Sequence, residues 1–362
     1  MRRLGSTLAV PLLCLAASCT DDSRSPLEPG TEPSDDVVEA AAFDVSVMTR
    51  NLYIGADVDA VIVALASGDP DDDLAALVGA INTLRATDFA SRAAAVAEEI
   101  ARQRPHAVGL QEVSTIDVTL PPLGVDLHLD FLPTLLAELA SRGLGYEVAA
   151  RVRNFDLTPF PGVRLADDDA LLVDRTRVAV HGTTAQRFSV NVGEVAPGVV
   201  LERGWVSAAV TIGGRDYTIA SAHTEPGSFP GLDQLRAAQV AELAASLAGS
   251  PASIVMGDLN DVPGSPMYQA LTGAGFTDVW AALRPGVVGF TCCHLPDLSD
   301  QVASFDERID HVFARGIVGV DGNVTGQVKL VGKLPSDRIA GPDYPIWPSD
   351  HAGLLARLAD AR

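Results

Sequence analysis

The stretch Ser253–Pro266, "SIVMGDLNDVPGSP", couples an apolar run to a cluster of polar residues. Ile254, Val255 and Met256 read as a buried strand that ends in Gly257, Asp258, Leu259, Asn260 and Asp261. A strand end of this kind either turns at Gly and Pro or holds carboxylate and amide groups against a substrate. Asp258 and Asn260 are two residues apart, so both point to one face for as long as the strand lasts, and Asp261 points to the other. A charged acceptor beside a neutral amide suits a nucleophilic water, which needs one partner for its proton and another for its direction. Asp261 reads as the cap of the turn through Pro263 and Gly264.

Other segments share the habit. "SVMTRN" reaches Asn51, "AVGLQE" reaches Glu112 and "TIASAH" reaches His223; "RIDHVF" carries Asp310, and "PSDHAGLLARL" carries Asp350 and His351. One such residue is ordinarily a loop residue with a local partner; six positions in one domain point to a shared site. Between the strands lie helical patterns. "DFASRAAAVAEEIARQRP" has an apolar face of Ala93, Val96, Ala97 and Ile100, with Asp88 as its expected cap and Pro105 as its stop. "LDQLRAAQVAELAASLAG" separates the strand through His223 from the strand through Asp258. Alternating strands and helices predict a layered α/β sandwich. The insert between Gly55 and Thr87, with "GDPDDD", reads as a helix-containing loop with a solvated acidic face.

Oxygen and amide donors of this kind suit a hard divalent ion and hydrolysis at phosphorus. No G-x-S-x-G elbow supports a serine nucleophile, and no H-E-x-x-H or C-x-x-C supports zinc. With 26 Lys and Arg against 47 Asp and Glu, the formal charge is −21, the wrong sign for coating nucleic acid.

The start of the chain, "MRRLGSTLAVPLLCLAASC", has two arginines, an apolar stretch and small residues, the grammar of a secretory signal. Residues 1–19 are therefore expected to be a signal peptide. Its end resembles the lipobox of bacterial lipoproteins, with Cys19 as the lipidated residue; ordinary signal cleavage nearby is the alternative. Residues 20–41, rich in Asp, Glu, Ser and Pro, are expected to be a disordered tether, and residues 42–362 a single domain. The expected location is the cell envelope or the exterior. Cys292 and Cys293 are adjacent, either a vicinal disulfide or two thiols.

The order of motifs, Asn51, then "GLQEV", strand-His223, "GDLND", "RIDHVF" and "SDH", resembles the endonuclease/exonuclease/phosphatase superfamily across Phe43 to Leu358. The resemblance implies a four-layered α/β sandwich, two mainly antiparallel β-sheets packed face to face with helices outside. It implies a divalent ion, usually Mg²⁺ with Mn²⁺ or Ca²⁺ as alternatives, held by Glu112 with Asn51 beside it and Asp350 assisting. Asp258 would act on the attacking water, Asn260 would position it, and His351, oriented by Asp310, would contact the phosphate. His223 would support the leaving group or bind phosphate. Arg151, Arg153 and Arg164 are candidates for phosphate contacts, with locally solvated arginines as the alternative; "LERGW" resembles the family, with Arg203 pairing with local acids, and Asp57 reads as a turn residue, with a second acidic contact as the alternative.

The implied activity is that of a metal-dependent phosphoesterase acting as a monomer. Its substrate would be a phospholipid head group, a small phosphodiester or nucleic acid, with membrane attachment through the N-terminal lipid. An extracellular nuclease is the alternative within the family. A non-catalytic surface binding protein retaining the fold is the alternative outside it.

Overall fold

The computed structural model describes residues 43–362 apart from Gly68, Pro197 and Gly198. The expected leader, Cys19 and the tether lie outside the described residues. Two sheets carry the fold. The first has eight strands, in the order Thr325–Val331, Gly353–Ala359, Val45–Asn51, Ala107–Gln111, Val163–Asp174, Thr115–Leu120 and Val125–Asp130, with Tyr146–Phe160 paired to Val163–Asp174. The second has six, in the order Thr277–Asp278, Asp310–Arg315, Ser253–Asp258, Arg215–His223, Gly204–Ile212 and Val178–Arg187. Most neighbours are antiparallel. The exceptions matter most, because Val45–Asn51 runs parallel to Ala107–Gln111, and Arg215–His223 runs parallel to Ser253–Asp258. Each parallel pair ends at one edge of its sheet.

The inner faces of the sheets meet in a core that includes Val45, Val47, Val206, Ile219, Ile254 and Met256. Helices Pro70–Ala86, Phe89–Gln103 and Phe131–Ser141 cover the outer face of the first sheet, and Leu232–Ser246 and Pro266–Gly273 cover that of the second. The result is the expected four-layered sandwich. Every residue of Val45–Asn51 is buried, so the alternation in this segment sorts two covered faces rather than a wet and a dry one.

Helix Phe89–Gln103 buries Ala93, Val96, Ala97 and Ile100 as its spacing requires, but Asp88 does not cap it. Asp88 has left-handed backbone (φ 32°) and accepts from Ser91 Oγ at 2.5 Å, so its carboxylate turns away from the free amides of the first turn. The insert folds as two helices, Val58–Ser67 and Pro70–Ala86; Asp69 caps the second by accepting from Asp71 N at 3.0 Å.

Gly257 explains one letter of the opening motif. Its φ is +149°, and a Cβ there would stand 1.9 Å from the Ala222 carbonyl oxygen of the parallel neighbour. Neither backbone can yield without disturbing His223 or Asp258, which pair in register one residue later. Gly257→Ala is expected to cost about 2–3 kcal/mol of stability, read by urea denaturation, from overpacking between two fixed strands. A loss below about 0.5 kcal/mol would show that the strands can separate.

Candidate active site

The strand ends converge on one edge of the sandwich. Asn51 lies in register with Gln111, one residue before Glu112; His223 lies opposite Asp258, and Asp258 lies opposite Asp310. Two expectations of strand position need correcting. Asp310 opens its strand rather than closing it, and Asp350 and His351 precede the strand Gly353–Ala359. They reach the same edge because those strands run antiparallel to the ones that end there.

Asn51 is fully buried and works as a clamp. Its Nδ2 donates to Glu112 Oε1 at 2.9 Å and to Asp258 Oδ2 at 3.0 Å, while its Oδ1 accepts from Tyr53 N at 2.8 Å. Glu112 Oε2 accepts from Ile54 N at 2.7 Å. The pairing of Asp258 and Asn260 comes from a turn, not from strand pleating. The strand stops at Asp258, Asn260 takes left-handed backbone (φ 48°), and its N–H donates to Asp258 Oδ1 at 3.0 Å. The amide Nδ2 of Asn260 is spent on Thr224 O at 3.0 Å. Asp261 is held by a buried ion pair with Arg236 at 3.1 Å, which removes it from the site.

Six non-glycine residues among those described have positive φ, and three of them, Tyr53, Glu112 and Asn260, line the same cavity. Such backbone costs on the order of 1 kcal/mol per residue and persists only where the surroundings over-determine it. The hydrogen bonds above supply that constraint.

Two histidines face Asp258 Oδ2 through their Nε2 atoms, each at 3.8 Å, and their proton affinities are shifted in opposite directions. Burial pushes His223 down to about 4, reinforced by the Arg203 guanidinium. Arg203 Nη1 lies 3.2 Å from His223 Nδ1, and an arginine can only donate, so the neutral ring keeps its proton on Nε2. For His351 burial also opposes the charged ring, but Asp310, Asp350 and Asp258 outweigh it and hold the imidazole well above its usual range. Its Nδ1 donates to Asp310 Oδ2 at 2.8 Å, which fixes the ring. Asp350 is pushed up to about 7 by burial and by the charges of Glu112 and Asp258, with His351 opposing.

These residues, with Asn51 and Asp310 behind them, surround a cavity of about 410 Å³ that exposes Glu112, His223, Asp258, Asn260, Asp350 and His351. Arg151, Arg153 and Arg164 do not line it. Arg151 and Arg153 both bind Asp168, and Arg164 binds Asp156 and Asp117, so their charges are already committed. Arg203 is the arginine that does line it. Asp57 accepts from Ala60 N at 2.9 Å and caps helix Val58–Ser67. Cys292 and Cys293 are bonded to each other, and Cys293 Sγ lies 3.9 Å from His351 Nε2.

The strand Val163–Asp174 adds residues that sequence reasoning did not single out. Asp167 and Asp169 share one face and both accept from Asn154 Nδ2, at 2.9 and 3.1 Å. Burial pushes both carboxyls up to about 8, and Asp169 Oδ1 lies 3.7 Å from His223 Nδ1. The period-two spacing in "ADDDA" was the available signal.

The donor set suits a hard cation. Glu112 and Asp350 bring carboxylates to the cavity beside Asp258, and the raised affinity of Asp350 for a proton marks negative charge short of compensation. Among the described residues neither belongs to a group of three ligand atoms within 4.8 Å; those groups are Asp258, Asp310 and His351, then Asp167, Asp169 and His223, then Cys292, Cys293 and His351. An ion that keeps several waters needs only one or two carboxylates and a substrate phosphate.

The chain matches the profile of the Endonuclease/Exonuclease/phosphatase family over residues 79–351, and it belongs to that family. Members of the family are hydrolases acting on phosphoester bonds. Among solved structures, an endonuclease/exonuclease/phosphatase from Beutenbergia cavernae is 21% identical with a TM-score of 0.57, covering 88% of this chain and 72% of that one. A mannosyl-6-phosphatase from Bacteroides thetaiotaomicron is 15% identical with a TM-score of 0.52, covering 87% and 99%. D. rerio TDP2 complexed with a single-strand DNA product is 17% identical with a TM-score of 0.51, covering 87% and 98%. No curated protein matches the chain in sequence.

Proposed function

We propose that this protein is an exported, metal-dependent phosphoesterase that hydrolyses its substrate by in-line attack of water. The observation that carries the reading is the opposed pair of histidines around Asp258, one neutral and one charged, beside the carboxylates of Glu112 and Asp350. Glu112 and Asp350 would hold the ion, with Asn51 fixing Glu112 from behind. Bound there, Mg²⁺ would neutralise charge on the phosphate and the departing oxygen.

The protein's own groups supply the rest. Asp258, fixed by Asn51 Nδ2 and Asn260 N–H, accepts the proton of the attacking water. His351, charged and locked by Asp310, donates from Nε2 to a phosphate oxygen. His223 presents its Nε2 proton on the far side of Asp258. The overall charge of −21 and the engagement of Arg151, Arg153 and Arg164 with local acids weigh against a nuclease. Export and lipidation at Cys19 rest on the leader sequence.

Metal removal tests the reading. EDTA-treated protein is expected to lose turnover of bis(p-nitrophenyl) phosphate and recover it with Mg²⁺. Glu112→Gln is expected to require at least about tenfold more Mg²⁺ for half-recovery, because it removes half the ionic ligand set. Turnover indifferent to EDTA, or absent with every phosphoester tried, would sink the proposal.

A further inference from the structure

Half of the active-site cavity takes no part in the chemistry above. Across from the carboxylates, its wall is built by Val58, Val61 and Leu65 from helix Val58–Ser67 and by Phe155, Leu157 and Leu201. Val58, Val61 and Leu65 recur at intervals of three and four, so one face of the helix lies along the cavity. Phe155, Val199 and Leu201 form a small apolar cluster apart from the main cores, with Leu65 and Leu157 packed against it.

The apolar surface continues inward. A second cavity of about 60 Å³ shares Ile54, Val58, Val61, Pro159 and Leu165 with the first and reaches Leu77, Ile81 and Leu84; every residue lining it is apolar. The surface also continues outward at the mouth. Leu295 is 53% exposed, although His294 and Pro296 on either side of it line the cavity. Apolar side chains thus line part of the active-site cavity and the whole of the smaller cavity that shares its wall. Among the described residues the lining holds one arginine, Arg203, whose Nη1 lies 3.2 Å from His223 Nδ1, and no lysine. A polyanion would find no row of cations along this lining.

Resting on the phosphoesterase reading, we propose that this arm is a subsite for an alkyl chain, so that the substrate is an amphiphilic phosphate ester. Its phosphate lies among Glu112, Asp258 and His351, and its chain lies along Val58, Val61 and Leu65. Burial of the chain is worth roughly fourfold in affinity per methylene while the arm lasts.

A series of alkyl p-nitrophenyl phosphates, from methyl to dodecyl, tests this with the full-length protein and Mg²⁺. For esters dispersed as single molecules, kcat/KM is expected to climb severalfold per methylene and then level off. Val61→Asn should lower the octyl-to-methyl ratio of kcat/KM at least tenfold, chiefly through KM. Val61→Phe keeps the helix apolar but narrows the arm, and should move the levelling-off point to shorter chains. Turnover independent of chain length would overturn the arm while leaving the phosphoesterase reading intact. A gain seen only when the ester is embedded in phosphatidylcholine vesicles would also overturn it, by making the bilayer surface the source of the preference. If no ester is turned over, the phosphoesterase reading fails. Calorimetric binding of octylphosphonate no tighter than methylphosphonate then refutes the arm independently.

Discussion

Asp258→Asn is expected to lower kcat by about a hundred- to ten-thousandfold with little net change in stability in the absence of metal, since relief of repulsion from neighbouring carboxylates offsets the lost hydrogen bond and the lost attraction to His351. The first half follows from geometry. Both oxygens of Asp258 are fixed by neighbours, Oδ2 by Asn51 Nδ2 and Oδ1 by the Asn260 amide, so the side chain is aimed before substrate arrives. An asparagine keeps the outline of the side chain, but it offers one acceptor to those two donors and cannot take a proton. Loss of a positioned general base costs about 10²–10⁴ in rate, roughly 3–5 kcal/mol of barrier.

The second half follows from charge. Asp258 is among the groups that raise the proton affinities of Asp350 and Asp169, so its charge opposes theirs in the folded protein. Removing that charge relieves repulsion, the usual relation between a strained site and stability. Rate measured at saturating substrate, with melting temperature in EDTA, checks both. A variant that keeps more than a tenth of wild-type kcat would remove Asp258 from the proton-accepting role.

Arg92→Leu is expected to destabilise the protein by about 4 kcal/mol and to disorganise the site without touching a reacting group. Arg92 is buried and its planar fork serves three separate segments. It donates to Thr87 O at 2.7 Å, Leu52 O at 2.5 Å, Tyr53 O at 3.1 Å and Pro348 O at 3.5 Å. The loop after Asn51 is thereby tied to the loop before Asp350. Phe89, Phe131 and Tyr53 also lie within 6 Å of the guanidinium, at 5.1, 5.9 and 5.6 Å.

Leucine would leave these carbonyls buried and unpaired, at about 1–3 kcal/mol for each well-made bond lost. Lysine would not repair the site, since one ammonium cannot reach carbonyls spread around a fork. The urea midpoint reads the loss; a shift equivalent to less than about 1 kcal/mol would mean that water replaces the arginine.

What the sequence shows most openly is a set of strands whose ends carry the chemistry. Asn51, Glu112, His223 and Asp258 are visible because each stands at the end of a segment with a strand-like pattern. The direction of a strand is not written in its composition, which is why Asp310 and His351, which enter antiparallel strands rather than leave strands, need the pairing to place them. Asn260 escapes for a different reason. Pleat geometry ends at Asp258, and a left-handed turn sets the amide's position.

Long-range partners are hidden altogether. Nothing near Arg151 or Arg153 in the sequence says that both will be neutralised by Asp168, and nothing near Arg92 announces the distant carbonyls of Leu52, Tyr53 and Pro348. The three aspartates of "ADDDA" gain meaning only from the pairing and cover of their strand, which make Asp167 and Asp169 buried and bring Asp169 beside His223.

The position of the strand Val45–Asn51, between Ala107–Gln111 on one side and Gly353–Ala359 on the other, bears on when this protein first becomes active. Its antiparallel partner arrives some three hundred residues later in synthesis, and contacts across such separations form late because the intervening chain must be gathered first. Asp350 and His351 immediately precede that partner. A growing chain therefore holds Asn51, Glu112 and Asp258 before Asp350 and His351 exist to join them. On the proposed chemistry, the site is complete only once the strand that follows His351 has docked.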